Sequence, residues 1–198
     1  MTGRPRRTIV VATRNEHKLA ELGEILAGVD LVPLPAEVEL PPEDGNTFAA
    51  NALGKARAAR EQTGLAAIAD DSGIAAAGLG GRPGVRSARY AGEDATDEEN
   101  LALLLEEVAA TADRSVAYVC AIAFVAEDGA ETVREGRCEG TLAEQPRGTG
   151  GFGYDPAFVP SDLNDGRTMA ELSAAEKHAI SHRGRAARAI APIVAVAE

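Results

Sequence analysis

Residues 115–140 read SVAYVCAIAFVAEDGAETVREGRCEG, and this stretch decides the fold class. Ser115 to Ala126 is an extended apolar run of the kind that forms a buried strand. Asp128-Gly129 follows, a pair that closes tight hairpins because it tolerates the left-handed backbone such turns need. Ala130 to Gly140 then returns as the antiparallel partner. Upstream, the pattern is different. Thr8 to Thr13 and Leu65 to Ala69 are short apolar strands, and Leu31 to Leu34 is a third candidate. Helical patterns lie between them. Asn15 opens one, with Leu19, Leu22, Ile25 and Leu26 at helical spacing and Gly28 beyond its end; Asn46 or Thr47 caps another that runs to about Gln62, with Gly64 as its stop. Strands that alternate with helices pair in parallel, so the two halves together predict an α/β protein on a mixed sheet.

The remaining segments follow the same grammar. Pro33, Pro35, Pro41 and Pro42 make the stretch before the second helix a loop, and Gly78 to Gly84 is another. Thr96 with Glu99 forms a capping box ahead of Leu101, Leu104, Leu105 and Val108 on one helical face. Thr168 with Glu171, and Ser173 with Glu176, repeat that pattern. Arg183 to Val196 reads as a final helix with a kink expected near Pro192. No internal repeat or low-complexity linker divides the sequence. Residues 1–198 are expected to form one domain, with residues 1–7 a flexible N-terminal extension.

Composition narrows the function. The 198 residues carry 20 Lys and Arg against 31 Asp and Glu, a net charge of −11. Proteins that grip nucleic-acid polymers show a basic excess, which neutralises phosphates and releases counterions; this balance argues against a general DNA or RNA binder. Cys120 and Cys138 are too few for a disulfide framework and have no metal spacing, which points to buried thiols in a reducing compartment. The longest apolar run, Val116 to Ala126, is too short to span a membrane, and Ile9 to Ala12 is too short for a signal-peptide core. A cytoplasmic protein without membrane association is expected. Lysine occurs only at Lys18, Lys55 and Lys177, while the other 17 basic residues are arginine. A retained lysine can mark a place that needs a compact ammonium.

Several clusters carry chemistry. Asp70-Asp71, followed by Ser72-Gly73, is expected where the Leu65–Ala69 strand ends. Ligands of open α/β sheets bind beyond such ends, and Mg²⁺ takes one or two carboxylates plus water and phosphate oxygens. Adjacent residues on an extended chain point to opposite sides, so one aspartate is expected to face the ligand and the other to brace the loop. The alternative is a plain Asx turn. Glu43-Asp44, in the Pro-rich loop, is either a second metal carboxylate or a solvated loop acid. Thr13-Arg14-Asn15-Glu16-His17-Lys18 runs from a strand end into a helix start, where N–H groups and the dipole favour phosphate; capping alone is the other reading of Thr13 and Asn15. Lys177, His178, His182 and Arg183 gather positive and titratable groups, a local focus that an acidic protein needs for an anion. Gly148-Thr149-Gly150-Gly151-Phe152-Gly153 matches G-x-G-x-x-G, but the dinucleotide fingerprint requires a helix next and Tyr154-Asp155-Pro156 follows. The segment reads as a flexible loop presenting Phe152 and Tyr154, a candidate base-stacking platform in a chain with four Phe, three Tyr and no Trp. With no Walker loop, nucleophile elbow or zinc spacing, phosphoryl chemistry on Mg²⁺ fits best.

Six segments occur in a fixed order across nearly the whole chain. They are Thr13-x-Asn15-x-x-Lys18, then Glu43-x-Gly45-x-Thr47-Phe48-x-x-Asn51-Ala52-x-x-Lys55-Ala56, then Ile68-Ala69-Asp70-Asp71-Ser72-Gly73. Gly80-Gly81-x-Pro83-Gly84-x-x-Ser87-Ala88-Arg89-Tyr90 follows, then Gly148 to Pro156, then Lys177-x-Ala179-x-Ser181-His182-Arg183-Gly184. In these the sequence resembles the inosine triphosphate pyrophosphatase family, which acts on deaminated purine nucleoside triphosphates such as ITP, dITP and XTP. The resemblance implies hydrolysis between the α and β phosphates, dependence on Mg²⁺, a homodimer, and an elongated mixed sheet flanked by helices in two lobes with the active-site cleft between them. It implies Asp71 as general base and metal ligand and Glu43 as a further ligand. Asp70, Asn51 and Lys55 are expected in support. Thr13, Arg14, Asn15, Glu16, His17, Lys18 and Ser72 are implied as phosphate-side contacts. Phe152, Gly153, Tyr154, Asp155, Lys177, His182 and Arg183 are implied as substrate contacts, several around the base. Hypoxanthine and xanthine show a 6-oxo acceptor and an N1–H donor, and adenine the reverse, so Arg183 or His182 donating to O6 rejects adenine by leaving buried groups unpaired.

Two positions depart from the family pattern. Arg14 stands where it usually has Gly, and Ala50 where it usually has Glu. Two other readings stay open at this level. One is a broader nucleotide pyrophosphatase acting on modified pyrimidines or dUTP, which the Ser181-His182-Arg183 segment opposes. The other is a nucleotide-sensing module without turnover, which the acidic set Glu43, Asp70 and Asp71 opposes.

Overall fold

Strand β1 (Thr8–Val11) sends its side chains alternately to two buried faces, Ile9 and Val11 to one and Val10 to the other. Strand β3 (Ala66–Ala76) divides Ala66 and Ile68 from Ala67 and Ala69 in the same way. Strand β4 (Ser115–Val125) divides Cys120, Ile122 and Phe124 from Ala121, Ala123 and Val125. Period two separates the faces. Helices cover both, which is why these strands read as unbroken apolar runs. The Ile68 face packs on Leu22 of α1 (Glu16–Ile25) and on Ala186, Ala187 and Ile190 of α5 (His182–Val194). The Ala69 face packs on Ala52, Ala56 and Ala59 of α2 (Phe48–Thr63).

The computed structural model describes residues 6–195. Most of the expected N-terminal extension, residues 1–5, and the expected helix end at Val196 lie outside the described residues. β2 (Asp30–Pro33) pairs parallel to β1 with Asp30 opposite Thr8, and β1 pairs parallel to β3 with Ile9 opposite Ala66. β5 (Glu131–Leu142) follows β4 across the Asp128-Gly129 turn, where the Ala126 N–H donates to the Ala130 carbonyl at 2.9 Å. β5 pairs antiparallel to β6 (Phe158–Pro160). The order β2-β1-β3-β4-β5-β6 makes one six-stranded mixed sheet, as expected for the α/β class.

The chain forms two compact units. The first comprises the chain up to Asp71, Cys120–Gly136 and the residues from Arg183 onward; the second comprises Ser72–Val119 and Arg137–His182. The second has its own core, in which Leu104 and Val108 of α3 (Asp97–Ala109) meet Ile74, Val116, Tyr118, Phe158 and Met169. The Thr96–Glu99 box caps α3, and the Ser173–Glu176 box caps α4 (Ala174–Ile180). The Thr168–Glu171 box forms as well but opens only a single short turn. No helix among the described residues is long and apolar enough to cross a membrane.

β3 does not stop at Ala69. It continues through Asp70-Asp71-Ser72-Gly73 to Ala76, so the acidic pair sits inside a strand and forms no Asx turn. The composition favours a turn, but tertiary partners override that preference: both carboxylates find cationic or amide donors on the covering helices.

Candidate active site

The alternation of β3 runs on past Ala69 and assigns each aspartate its partners. Asp70 falls on the face of Ile68 and meets α1 and α5. Asp71 falls on the face of Ala69 and meets α2.

Asp70 is fully buried. Its Oδ2 accepts from Arg183 Nε at 3.1 Å and Nη2 at 2.9 Å, and Lys18 Nζ lies 3.3 Å away. Lys18 is held in the first turn of α1, where Asn15 Oδ1 accepts its backbone N–H at 3.1 Å and Thr13 Oγ1 accepts that of Asn15 at 3.1 Å. Glu21, one turn further along α1, pairs with Arg183 Nη1. Burial opposes ionisation of Asp70, but the positive charges of Lys18, Arg183 and Lys55 outweigh it and hold the carboxyl far below its usual range. Asp70 Oδ1 is buried and has no hydrogen-bond partner among the described residues. Cys120 shares this face, with Sγ 4.0 Å from Asp70 Oδ2; burial and the Asp70 charge push its thiol up to about 12.

Asp71 accepts from Asn51 Nδ2 at 2.8 Å. Asn51 Oδ1 in turn accepts the Gly45 N–H at 2.8 Å, so one amide joins Asp71 to the loop that carries Glu43. A Cβ on Gly45 would stand 2.5 Å from Asn51 Oδ1 and would push that amide out of place. Lys55, one turn after Asn51, binds the Glu43 carboxylate and the Asp70 carbonyl, the latter at 2.7 Å. Glu43 is therefore not a plain solvated loop acid. Burial raises the Asp71 carboxyl above its ordinary value, the Asn51 hydrogen bond opposes this, and the like charge of Glu43 adds to it. Two carboxylates of like charge, with a buried unpartnered oxygen on Asp70 nearby in sequence, suit a hard cation. The described residues contain no closed group of three or more His, Cys, Asp or Glu ligands. Carboxylate oxygens are ligands that Mg²⁺ takes, whereas zinc sites draw on His and Cys.

Of the other expected phosphate-side residues, Glu16 and His17 are exposed at the N-terminus of α1. Arg14 turns to the Pro-rich loop, where its Nη2 donates to the Pro35, Ala36 and Val38 carbonyls at 3.3, 3.1 and 2.9 Å. Ser72 follows Asp71 on β3 and opens the second unit. Ala50 sits in the first turn of α2, its N–H donating to the cap hydroxyl of Thr47 at 3.1 Å.

The second unit holds a separate cluster around Asp155, which is 3% exposed. Asp155 Oδ2 accepts from the Phe152 N–H at 3.0 Å and Lys177 Nζ at 2.8 Å; its Oδ1 accepts from the Tyr118 hydroxyl at 3.1 Å. Lys177 Nζ stands 4.9 Å from the Phe152 ring centre, within cation–π range. The Tyr118 ring stacks on His182 at 4.5 Å and on Phe158 at 4.4 Å. Gly151, at φ 71°, has no space for a side chain, which would collide with the Asp155 carboxylate.

The 148–155 loop differs from the expectation of a flexible platform. Asp97 Oδ2 accepts the Gly153 N–H at 2.7 Å, and the Gly150 N–H donates to the Ala170 carbonyl at 3.0 Å. Tyr154 is not presented to a ligand: it is buried, and its hydroxyl donates to the Ser87 carbonyl at 2.7 Å. Phe152 is half-buried. Arg183 is committed to Asp70 and Glu21 in the first unit, while its neighbour His182 stacks in the second.

Sequence reading missed Glu21, Tyr118 and Asp97. Glu21 was visible as the residue three positions after Lys18, on the same helical face. Tyr118 has the parity of Cys120 on its strand. Asp97 reads as an ordinary first-turn acid, and nothing in the sequence ties it to Gly153.

Carboxylates, lysines and amides set side by side on an α/β sheet are groups that can hold a hard cation or a phosphate. The model of the Ham1 family matches residues 9–193, and the chain belongs to that family. It is 50% identical over 194 residues to a Streptomyces coelicolor protein named dITP/XTP pyrophosphatase, covering 94% of this chain and 96% of that protein. A Frankia alni protein of the same name is 53% identical over 197 residues, covering 94% and 96%. The solved structure of a HAM1 protein from Coxiella burnetii superposes with a TM-score of 0.86 at 44% identity, covering 95% of this chain and 98% of that one.

Proposed function

We propose that this chain is a nucleoside triphosphate pyrophosphatase that hydrolyses ITP, dITP and XTP to the nucleoside monophosphate and pyrophosphate. Relatives that match over 94% of this chain are named dITP/XTP pyrophosphatase. The observation that carries the chemistry is the Asn51 amide, which holds Asp71 at 2.8 Å and the Glu43 loop at 2.8 Å from opposite ends.

Glu43 and Asp71 would hold Mg²⁺, which when bound neutralises phosphate charge and acidifies a coordinated water. Asp71, raised by burial, accepts a proton from the attacking water. The water oxygen bonds to the α-phosphorus as the bond to the β-bridging oxygen breaks, and pyrophosphate leaves. The N-terminus of α1 with Lys18, together with Lys55, presents positive charge to the phosphates. Asn51 orients Asp71, and Asp70 fixes Lys18 and Arg183. Phe152 and Lys177, set by Asp155, take the base, and His182 donates to the 6-oxo group. Adenine, which offers an amino group there, leaves that donor unpaired. Arg183, with three nitrogens engaged by Asp70 and Glu21, is given no base contact. A homodimer, working in the cytoplasm as a single-domain chain without nucleic-acid or membrane partners, completes the proposal.

The test is a panel of ITP, dITP, XTP, ATP, GTP and dUTP with Mg²⁺, read by pyrophosphate release. The expected result is fast release from ITP, dITP and XTP and slow release from the others. Equal turnover of all six, or release of orthophosphate instead, overturns it.

A further inference from the structure

The loop that carries Glu43 contains Pro35, Pro41 and Pro42, which have no N–H to donate; within it the Val38 N–H donates to the Pro35 carbonyl at 3.2 Å, and further ties come from neighbouring elements. Three ties come from α2. Gln62 exchanges hydrogen bonds with Glu39 at 3.0 and 2.7 Å, Lys55 binds Glu43, and Asn51 takes the Gly45 N–H. The fourth comes from a different element. Arg14, in the turn between β1 and α1, brings one guanidinium nitrogen to the Pro35, Ala36 and Val38 carbonyls at 3.3, 3.1 and 2.9 Å. That same turn supplies Thr13 and Asn15, which cap the start of the helix that carries Lys18.

We propose that Arg14 is a positioning residue for Glu43. It joins the start of the Pro-rich loop to the turn that leads into α1, so that the loop and the turn move as one piece. Ties from α2 set where Glu43 points; Arg14 sets where the loop begins. The planar guanidinium holds its Nη2 rigidly against the clustered carbonyls, whereas a lysine ammonium on a flexible four-carbon stem holds them less rigidly. The proposal rests on Glu43 being a metal ligand, as argued above.

Arg14→Ala, Arg14→Lys and the unaltered protein are compared in two measurements. In the first, hydrogen exchange is followed at residues 36–45 without metal or nucleotide. Arg14→Ala is expected to exchange faster there and unchanged in β3 and α5, with Arg14→Lys between. In the second, the Mg²⁺ concentration for half-maximal pyrophosphate release from ITP is expected to rise about five-fold in Arg14→Ala, the scale of one net hydrogen bond, while kcat at saturating Mg²⁺ stays near that of the unaltered protein. Unchanged exchange in the loop overturns the proposal. So does faster exchange with an unmoved Mg²⁺ requirement. A raised KM for ITP at saturating Mg²⁺ with unchanged exchange makes Arg14 a phosphate contact instead. If the unaltered protein releases no pyrophosphate, the functional reading fails, and the exchange comparison still reports whether Arg14 holds the loop.

Discussion

Arg183 donates two hydrogen bonds to a single carboxylate oxygen of Asp70, across 113 residues of sequence, with 1% and 0% of these residues exposed. Neither ion has water to fall back on. Asp70→Asn leaves Arg183 and Lys18 facing a neutral amide, with Glu21 the remaining counter-charge for Arg183. Removing one partner of a buried pair costs about 3–5 kcal/mol, and the Asp70→Asn loss is expected near the lower end because Glu21 remains. Urea unfolding at pH 7 measures this. An unchanged midpoint would falsify the view that Asp70 compensates these cations.

The same pair sets an acid limit. The folded Asp70 carboxyl lies below its unfolded value of about 3.9. A depressed group contributes its stability in full above the unfolded value and loses it as pH falls. The stability gap between the unaltered protein and Asp70→Asn is therefore expected to be constant from pH 7 to about pH 5 and to narrow below it. Unfolding midpoints at pH 7, 5, 4 and 3 give the answer, and a gap that widens on acidification contradicts the assignment.

How much of this was legible in the sequence depends on distance along the chain. The division of Asp70 and Asp71 to opposite sides follows from strand period, the hairpin at Asp128-Gly129 from its turn residues and the three capping boxes from their three-residue spacing, each set within a few residues. The partners were less legible. Nothing local links Arg183 to Asp70, and its place beside His182 in the sequence suggested a shared base-binding role that the geometry divides. The Asp-Asp-Ser-Gly composition misled in the same way: it signals a turn until Lys18, Arg183 and Asn51 are known to supply donors. The glycine-rich run 148–153 suggests a flexible loop that presents Tyr154, whereas the Tyr154 hydroxyl is committed to Ser87, 67 residues away.

Asn51 supports the charged form of Asp71, the base of the proposed reaction. Its hydrogen bond favours the charged form, against burial and the charge of Glu43. Asn51→Ala removes that support, so the Asp71 carboxyl rises further and a smaller share is ionised at any given pH. The acid limb of kcat for ITP is expected to move to higher pH. A limb that stays in place, with kcat merely scaled down, assigns Asn51 to folding and not to Asp71.

Asp155 collects the Phe152 N–H, Lys177 and Tyr118 in the second unit. Asp155→Asn keeps the shape and drops the charge that holds Lys177 near the Phe152 ring. Hydrogen bonds to charged groups are worth enough that KM for ITP is expected to rise about ten-fold or more, with kcat changed far less because the proposed chemistry rests on Asp71 and Glu43 and not on Asp155. A loss confined to kcat places Asp155 with the chemistry instead.

Cys120 tests the electrostatics of the Asp70 face without any substrate. The nucleophile in thiol labelling is the thiolate, and Cys120 is fully buried with its thiol pushed up to about 12. In a Cys138→Ser background, which leaves one thiol, labelling by a disulfide reagent at pH 8 is expected to be slow in the native protein and to become fast in urea through the unfolding transition. Labelling of the native protein within seconds would mean that Cys120 is exposed or ionised, and would undo the burial on which the depressed Asp70 carboxyl also depends. Asp70→Asn in the same background refines the test. Removing the neighbouring negative charge lowers the Cys120 value, so native-state labelling is expected to speed up by more than the loss of stability alone explains. An increase that tracks stability and nothing else would separate the thiol from the Asp70 charge.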